Sequence, residues 1–102
     1  MTRKILFFFF FITLGFEAYA DLGEVVKRFG SCDYFIADGP NGYYVLEWYG
    51  GYDPDEGDTI FGDINSYGME DVLYNGSREG RVWVEDFLES TSAALEEIQD
   101  HC

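Results

Sequence analysis

Hydrophobic periodicity divides the chain into an apolar leader, a short stretch with helical spacing, a series of alternating segments and a closing helix. The leader begins with Met1-Thr2-Arg3-Lys4, continues through the apolar run Ile5 to Phe16 and ends in Ala18-Tyr19-Ala20. A basic start, an apolar core and a small-x-small close form the pattern of a secretory signal peptide. The run is well short of the roughly 20 apolar residues needed to span a bilayer. Residues 1–20 are therefore expected to be a signal peptide and 21–102 a single small domain, periplasmic or secreted, with no stable membrane insertion after cleavage.

After the leader, Leu22, Val25, Val26 and Phe29 recur at the spacing of one helical face. Asp21 and Glu24 sit at the end that favours anions and Lys27-Arg28 at the end that favours cations, and Gly30 follows as a C-cap. A short N-terminal helix is expected, which accounts for the basic pair more simply than a processing site does. Strand-like runs follow over Ser31 to Ala37, Tyr43 to Tyr49, Thr59 to Asn65, Met69 to Tyr74 and Arg81 to Glu85. Asp38-Gly39-Pro40-Asn41-Gly42 and Asn75 to Gly80 read as turns, and Gly50 to Asp58 as an acidic loop. Gly62 inside a strand marks a bend or bulge. A C-terminal helix should start near Ser90 or Ser92 and run towards Gln99, with Leu95, Ile98 and Cys102 on one face. The expected architecture is α+β: a small antiparallel sheet or partly open barrel of about five strands, flanked by the two helices.

Cysteine and charge refine this picture. Cys32 and Cys102 are the only cysteines, and an oxidising destination favours pairing them. Loss of the leader removes Arg3, Lys4 and Glu17, taking the formal charge from −14 to −15. A field of that sign repels phosphate backbones, so a nucleic-acid partner is not expected, whereas a basic protein is. The many tyrosines, tryptophans and phenylalanines supply apolar area that a disordered acidic chain would lack.

Candidate chemistry is sparse. Asp53, Asp55, Glu56 and Asp58 could offer oxygen ligands to calcium, but the spacing is not that of an EF-hand and a solvated acidic turn explains them. Glu47, Asp63, Glu70, Asp71, Glu85 and Asp86 could be paired for acid–base work, with Glu47 set among Leu46, Trp48 and Tyr49. In so acidic a chain such adjacency carries little information, and an outward Glu47, or one paired with Arg81, is the simpler expectation. The only histidine, His101, is next to the last residue, which argues against a catalytic triad and a conventional zinc site. Neither a metal nor a cofactor is expected. Asn75-Gly76-Ser77 matches a glycosylation sequon and is read as a hairpin turn.

The run Gly57-Asp58-Thr59-Ile60-Phe61-Gly62-Asp63-Ile64, followed by Tyr67-Gly68, resembles the opening strands of S1-type OB domains. The resemblance implies a small, closed, strongly bent sheet. That family binds RNA, from which the acidity of this chain departs.

The expected function is non-catalytic binding by an acidic protein, such as inhibition of, or immunity to, a basic secreted enzyme. Tyr43, Tyr44, Trp48, Tyr49 and Tyr52, beside Asp53, Asp55, Glu56 and Asp58, are the candidate partner-binding residues. A small hydrolase using paired carboxylates and a calcium-stabilised structural module are the alternatives.

Overall fold

The computed structural model describes residues 21–102; the expected signal peptide lies outside the described residues. Six antiparallel strands form a closed barrel: β1 (Asp21–Arg28), β2 (Tyr34–Gly39), β3 (Gly42–Gly51), β4 (Thr59–Gly62), β5 (Gly68–Tyr74) and β6 (Arg78–Leu88). Around the barrel the order is β1-β2-β3-β6-β5-β4, with β4 returning to β1. Among the described residues closure leaves no free sheet edge, which removes the usual template for edge-to-edge aggregation. One helix, α1 (Thr91–Gln99), follows β6.

The structure departs from expectation at two points. The sheet is closed rather than partly open, and the segment expected to be an N-terminal helix is strand β1. The tertiary setting explains the second difference. β1 joins the two halves of the barrel, pairing with β2 on one side and β4 on the other, and so gains two ladders of backbone hydrogen bonds. An isolated helix of that length is marginal in water, and an interior glycine weakens it further. Gly23 instead serves close strand approach, since a Cβ there would lie 2.9 Å from the Asp38 carbonyl oxygen. A bulge between Val25 and Lys27 shifts the strand's phase, which hides the alternation that would reveal a strand.

The barrel is filled by Val25, Phe35, Ala37, Tyr44, Leu46, Ile60, Ile64, Val72, Tyr74, Val82 and Val84, with Trp48, Tyr52 and Phe87 packed at its ends. A second cluster lies outside the wall. There Ala94 and Ile98 of α1 cover Ile36 of β2 and Val45 of β3, ringed by Val26, Phe29, Tyr34, Tyr43 and Leu88. Phe35, Ile36 and Ala37 are consequently all buried, because this part of the wall has core on both faces. Ser90 caps the helix by accepting a bond from the Ala93 amide at 3.2 Å. A disulfide between Cys32 and Cys102, with Cα atoms 5.8 Å apart, ties the end of the helical segment to the β1–β2 connection.

The turns follow their residue chemistry. Pro40 and Asn41 alone separate the paired Gly39 and Gly42, a tighter hairpin than the five-residue turn expected. Asn75 and Gly76 adopt positive φ in the β5–β6 turn, and the Asn75 side chain accepts a bond from the Thr59 amide at 3.0 Å. The stretch resembling an OB domain forms β4 and the turn after it, in mid-barrel, within a sheet of six strands.

Candidate functional site

The connection between β3 and β4, expected to be a solvated acidic loop, closes one end of the barrel. Pro54 is fully buried there. The Trp48 indole donates to the Tyr52 carbonyl at 3.0 Å, and the Gly57 amide donates to the Val25 carbonyl at 2.8 Å. The loop's carboxylates are largely engaged by the protein itself. Asp53 pairs with Arg28 at 2.9 Å, and Glu56 accepts from the Arg28 backbone amide. Asp58 accepts from both the Tyr52 hydroxyl and the Asp55 amide, each at 2.9 Å. Those bonds, led by the one from the Asp55 amide, hold the Asp58 carboxyl below its ordinary value. The Arg28 guanidinium also lies over the Phe35 ring, 5.3 Å from its centroid.

The aromatic residues expected to form a binding patch are distributed over four environments. Tyr44 is buried inside the barrel, edge-on to Phe87. Trp48 and Tyr52 pack at the end closed by the loop, and Tyr43 packs beside the helix. Tyr49 is the member of the set that is mainly exposed, at 51%. The acidic residues Asp53, Glu56 and Asp58 stabilise the loop, and Asp55 points outward.

A different surface emerges on the wall that α1 leaves uncovered. Strand pairing puts Leu22, Phe61 and Leu73 in one row across β1, β4 and β5, because directly paired residues share a face. Met69 and Trp83 form a second row across β5 and β6. Leu22, Phe61 and Trp83 are 60%, 45% and 38% exposed. Between the rows Arg81 pairs with Asp71 through its Nε at 2.9 Å. A groove of about 480 Å³ runs along this wall, lined by Phe61, Gly62, Leu73, Glu79, Gly80 and Arg81 among others. It adjoins another of about 310 Å³ that reaches Tyr49, Gly50 and Gly51, and the two share Asp71, Glu79, Gly80 and Arg81. The surface thus combines a floor of glycines, apolar flanks at Phe61 and Tyr49, and two carboxylates beside a single arginine.

The wall residues Leu22, Phe61, Met69, Leu73 and Trp83 were not among the expected binding residues, although part of the signal was present. In Val82-Trp83-Val84 and Ile60-Phe61-Gly62, an aromatic occupies the phase of the alternation that faces solvent. Leu22 was obscured by the helical reading of its segment.

Of the carboxylates that might pair for acid–base work, Glu70 is raised above its ordinary value, first by desolvation and then by Asp63 and Asp71. Glu47 is half-buried on the outer face, paired across the sheet with Tyr34 and Trp83, while Arg81 is engaged by Asp71. The Tyr34 hydroxyl is pushed well above its ordinary value, first by burial and then by the facing Glu47 carboxylate.

No protein family, curated protein or solved structure matches this chain.

Proposed function

We propose that the protein is a non-catalytic acidic binding module whose uncovered barrel wall engages a basic protein, such as a secreted hydrolase that it inhibits. The observation that carries this reading is the contrast between a barrel interior filled by its own side chains and an outer wall that exposes Leu22, Phe61 and Trp83 beside a groove. Exposed aromatics flanked by polar groups are characteristic of protein interfaces. The net charge of −14 supplies long-range attraction for a cationic partner, and Asp71 and Glu79 supply acceptors beside the groove. The Cys32–Cys102 bond is compatible with the oxidising, periplasmic or extracellular setting that this function requires.

The experiment is a binding titration of the protein against a panel of basic lysozyme-type hydrolases at low and high ionic strength, with inhibition assayed in parallel. The reading predicts binding that weakens as salt rises and that is reduced at least tenfold by Trp83→Ala. Binding to none of the panel, or binding indifferent to both salt and Trp83, would overturn it.

A further inference from the structure

We propose that Glu85, Glu97 and His101 form a binding site for one divalent cation of the zinc type. The three side chains come from two separate parts of the fold. Glu97 belongs to α1, and His101 follows one turn later, in a segment whose amide still bonds to the Ile98 carbonyl at 2.9 Å. Glu85 comes from β6, where Val84 pairs with Leu46 and Asp86 with Val45, leaving Glu85 as the extra residue of a bulge. Bulges re-aim side chains, and this one turns Glu85 towards the end of the helical segment.

The geometry suits a small cation. The His101 Nε2 lies 3.8 Å from Glu97 Oε2 and 4.0 Å from Glu85 Oε2, and all three ligand atoms fall within 4.8 Å of one another. Zinc bonds of about 2.0–2.2 Å in a tetrahedron put neighbouring ligand atoms roughly 3.4 Å apart. Rotamer adjustments that shorten the two His101 separations by about half an ångström, and the Glu85–Glu97 separation by up to about 1.4 Å, would therefore close the site on such an ion. One imidazole with two carboxylates suits zinc better than calcium, which prefers a shell of 6–8 oxygens.

The imidazole is also held in place beforehand. Its ring stacks on Tyr34 with centroids 4.2 Å apart and planes 14° from parallel, and the next residue is the disulfide-bonded Cys102. Among the described residues the arginine ion pairs are Arg28–Asp53 and Arg81–Asp71, so neither Glu85 nor Glu97 has an arginine or lysine within ion-pair distance. His101 alone stands between two carboxylates, and a divalent ion would satisfy both.

The test is calorimetric titration of the chelator-stripped, disulfide-bonded protein with zinc chloride, with cobalt(II) as a spectroscopic stand-in for ligand geometry. The expected result is one ion per chain, a tetrahedral cobalt spectrum, and affinity at least tenfold lower in His101→Ala, Glu85→Gln and Glu97→Gln. The exposed neighbour Glu96→Gln should bind like the parent. The near-isosteric glutamine variants keep the test valid if His101→Ala disturbs the stack on Tyr34. The absence of a one-to-one event at millimolar zinc would overturn the proposal. So would affinity unchanged in the glutamine variants, which would indicate diffuse binding to the acidic surface.

Discussion

Replacing both Cys32 and Cys102 by serine should cost this protein a large share of its stability. The bond joins residues 70 apart in sequence and so closes nearly the whole barrel into one loop. For a loop of that length the chain-entropy model gives about 4 kcal/mol, arising from the freedom the unfolded chain regains. A domain of this size has roughly 4–12 kcal/mol in total. Serine itself should add little, because Cys102 is exposed and Cys32 only half-buried. The melting midpoint should fall by about 15–30 °C, given roughly 4–8 °C per kcal/mol in small domains. Guanidinium unfolding of the parent and the double variant, followed by tryptophan fluorescence, measures the difference. Trp48 reports on the closed barrel end and Trp83 on the outer wall. A loss below about 1 kcal/mol with an unchanged denaturant slope would mean that the bond does not constrain the unfolded chain.

The seat of the helix can be tested by Ile98→Ala, which removes a side chain only 3% exposed between α1 and the wall; it should cost about 2–4 kcal/mol by chemical denaturation. Gly51→Ala should destabilise by more than about 1 kcal/mol in the same assay, because the residue has φ +80° and its new Cβ would stand 2.5 Å from the Glu79 carbonyl oxygen. Stability should also decline at both pH extremes. Asp58 is depressed in the folded state, so its contribution is present above the unfolded carboxyl value and is lost as pH falls through the folded one. Tyr34 and Tyr74 are raised, mainly by burial, so their contribution is full below the unfolded value of 10.0 and is lost as pH rises beyond it. Thermal melts from pH 2 to 11 check both limbs, and a flat alkaline limb would contradict the tyrosine assignment.

The strands β2 to β6 and the C-terminal helix were legible because each carries a local signal: alternation, a turn rich in glycine or asparagine, or a serine cap. Barrel closure was not, since it depends on β1 pairing with two strands distant in sequence. The spacing of Leu22, Val25, Val26 and Phe29 fits a helical face equally well once a bulge interrupts the strand. The disulfide could be anticipated from the cysteine count and the expected leader, and its position follows from Ile98 seated on Ile36 and Val45. For the candidate surface, composition drew attention to aromatic and acidic residues but could not assign faces. Tyr44 and Trp83 look alike in sequence as aromatics within apolar strands, yet Tyr44 fills the barrel and Trp83 faces outward. The cluster of Glu85, Glu97 and His101 was hidden for a similar reason, because it joins a strand bulge to a helical segment through the fold.

Docking of a basic protein on the uncovered wall can be measured as affinity for a basic lysozyme-type hydrolase across a salt series. The parent is compared with Trp83→Ala, Phe61→Ser and, at an exposed position of α1, Glu96→Gln. Affinity should fall with salt and drop at least tenfold in the two wall variants, while Glu96→Gln stays near the parent. Equal affinity in all four proteins, or no binding at any salt concentration, would contradict it.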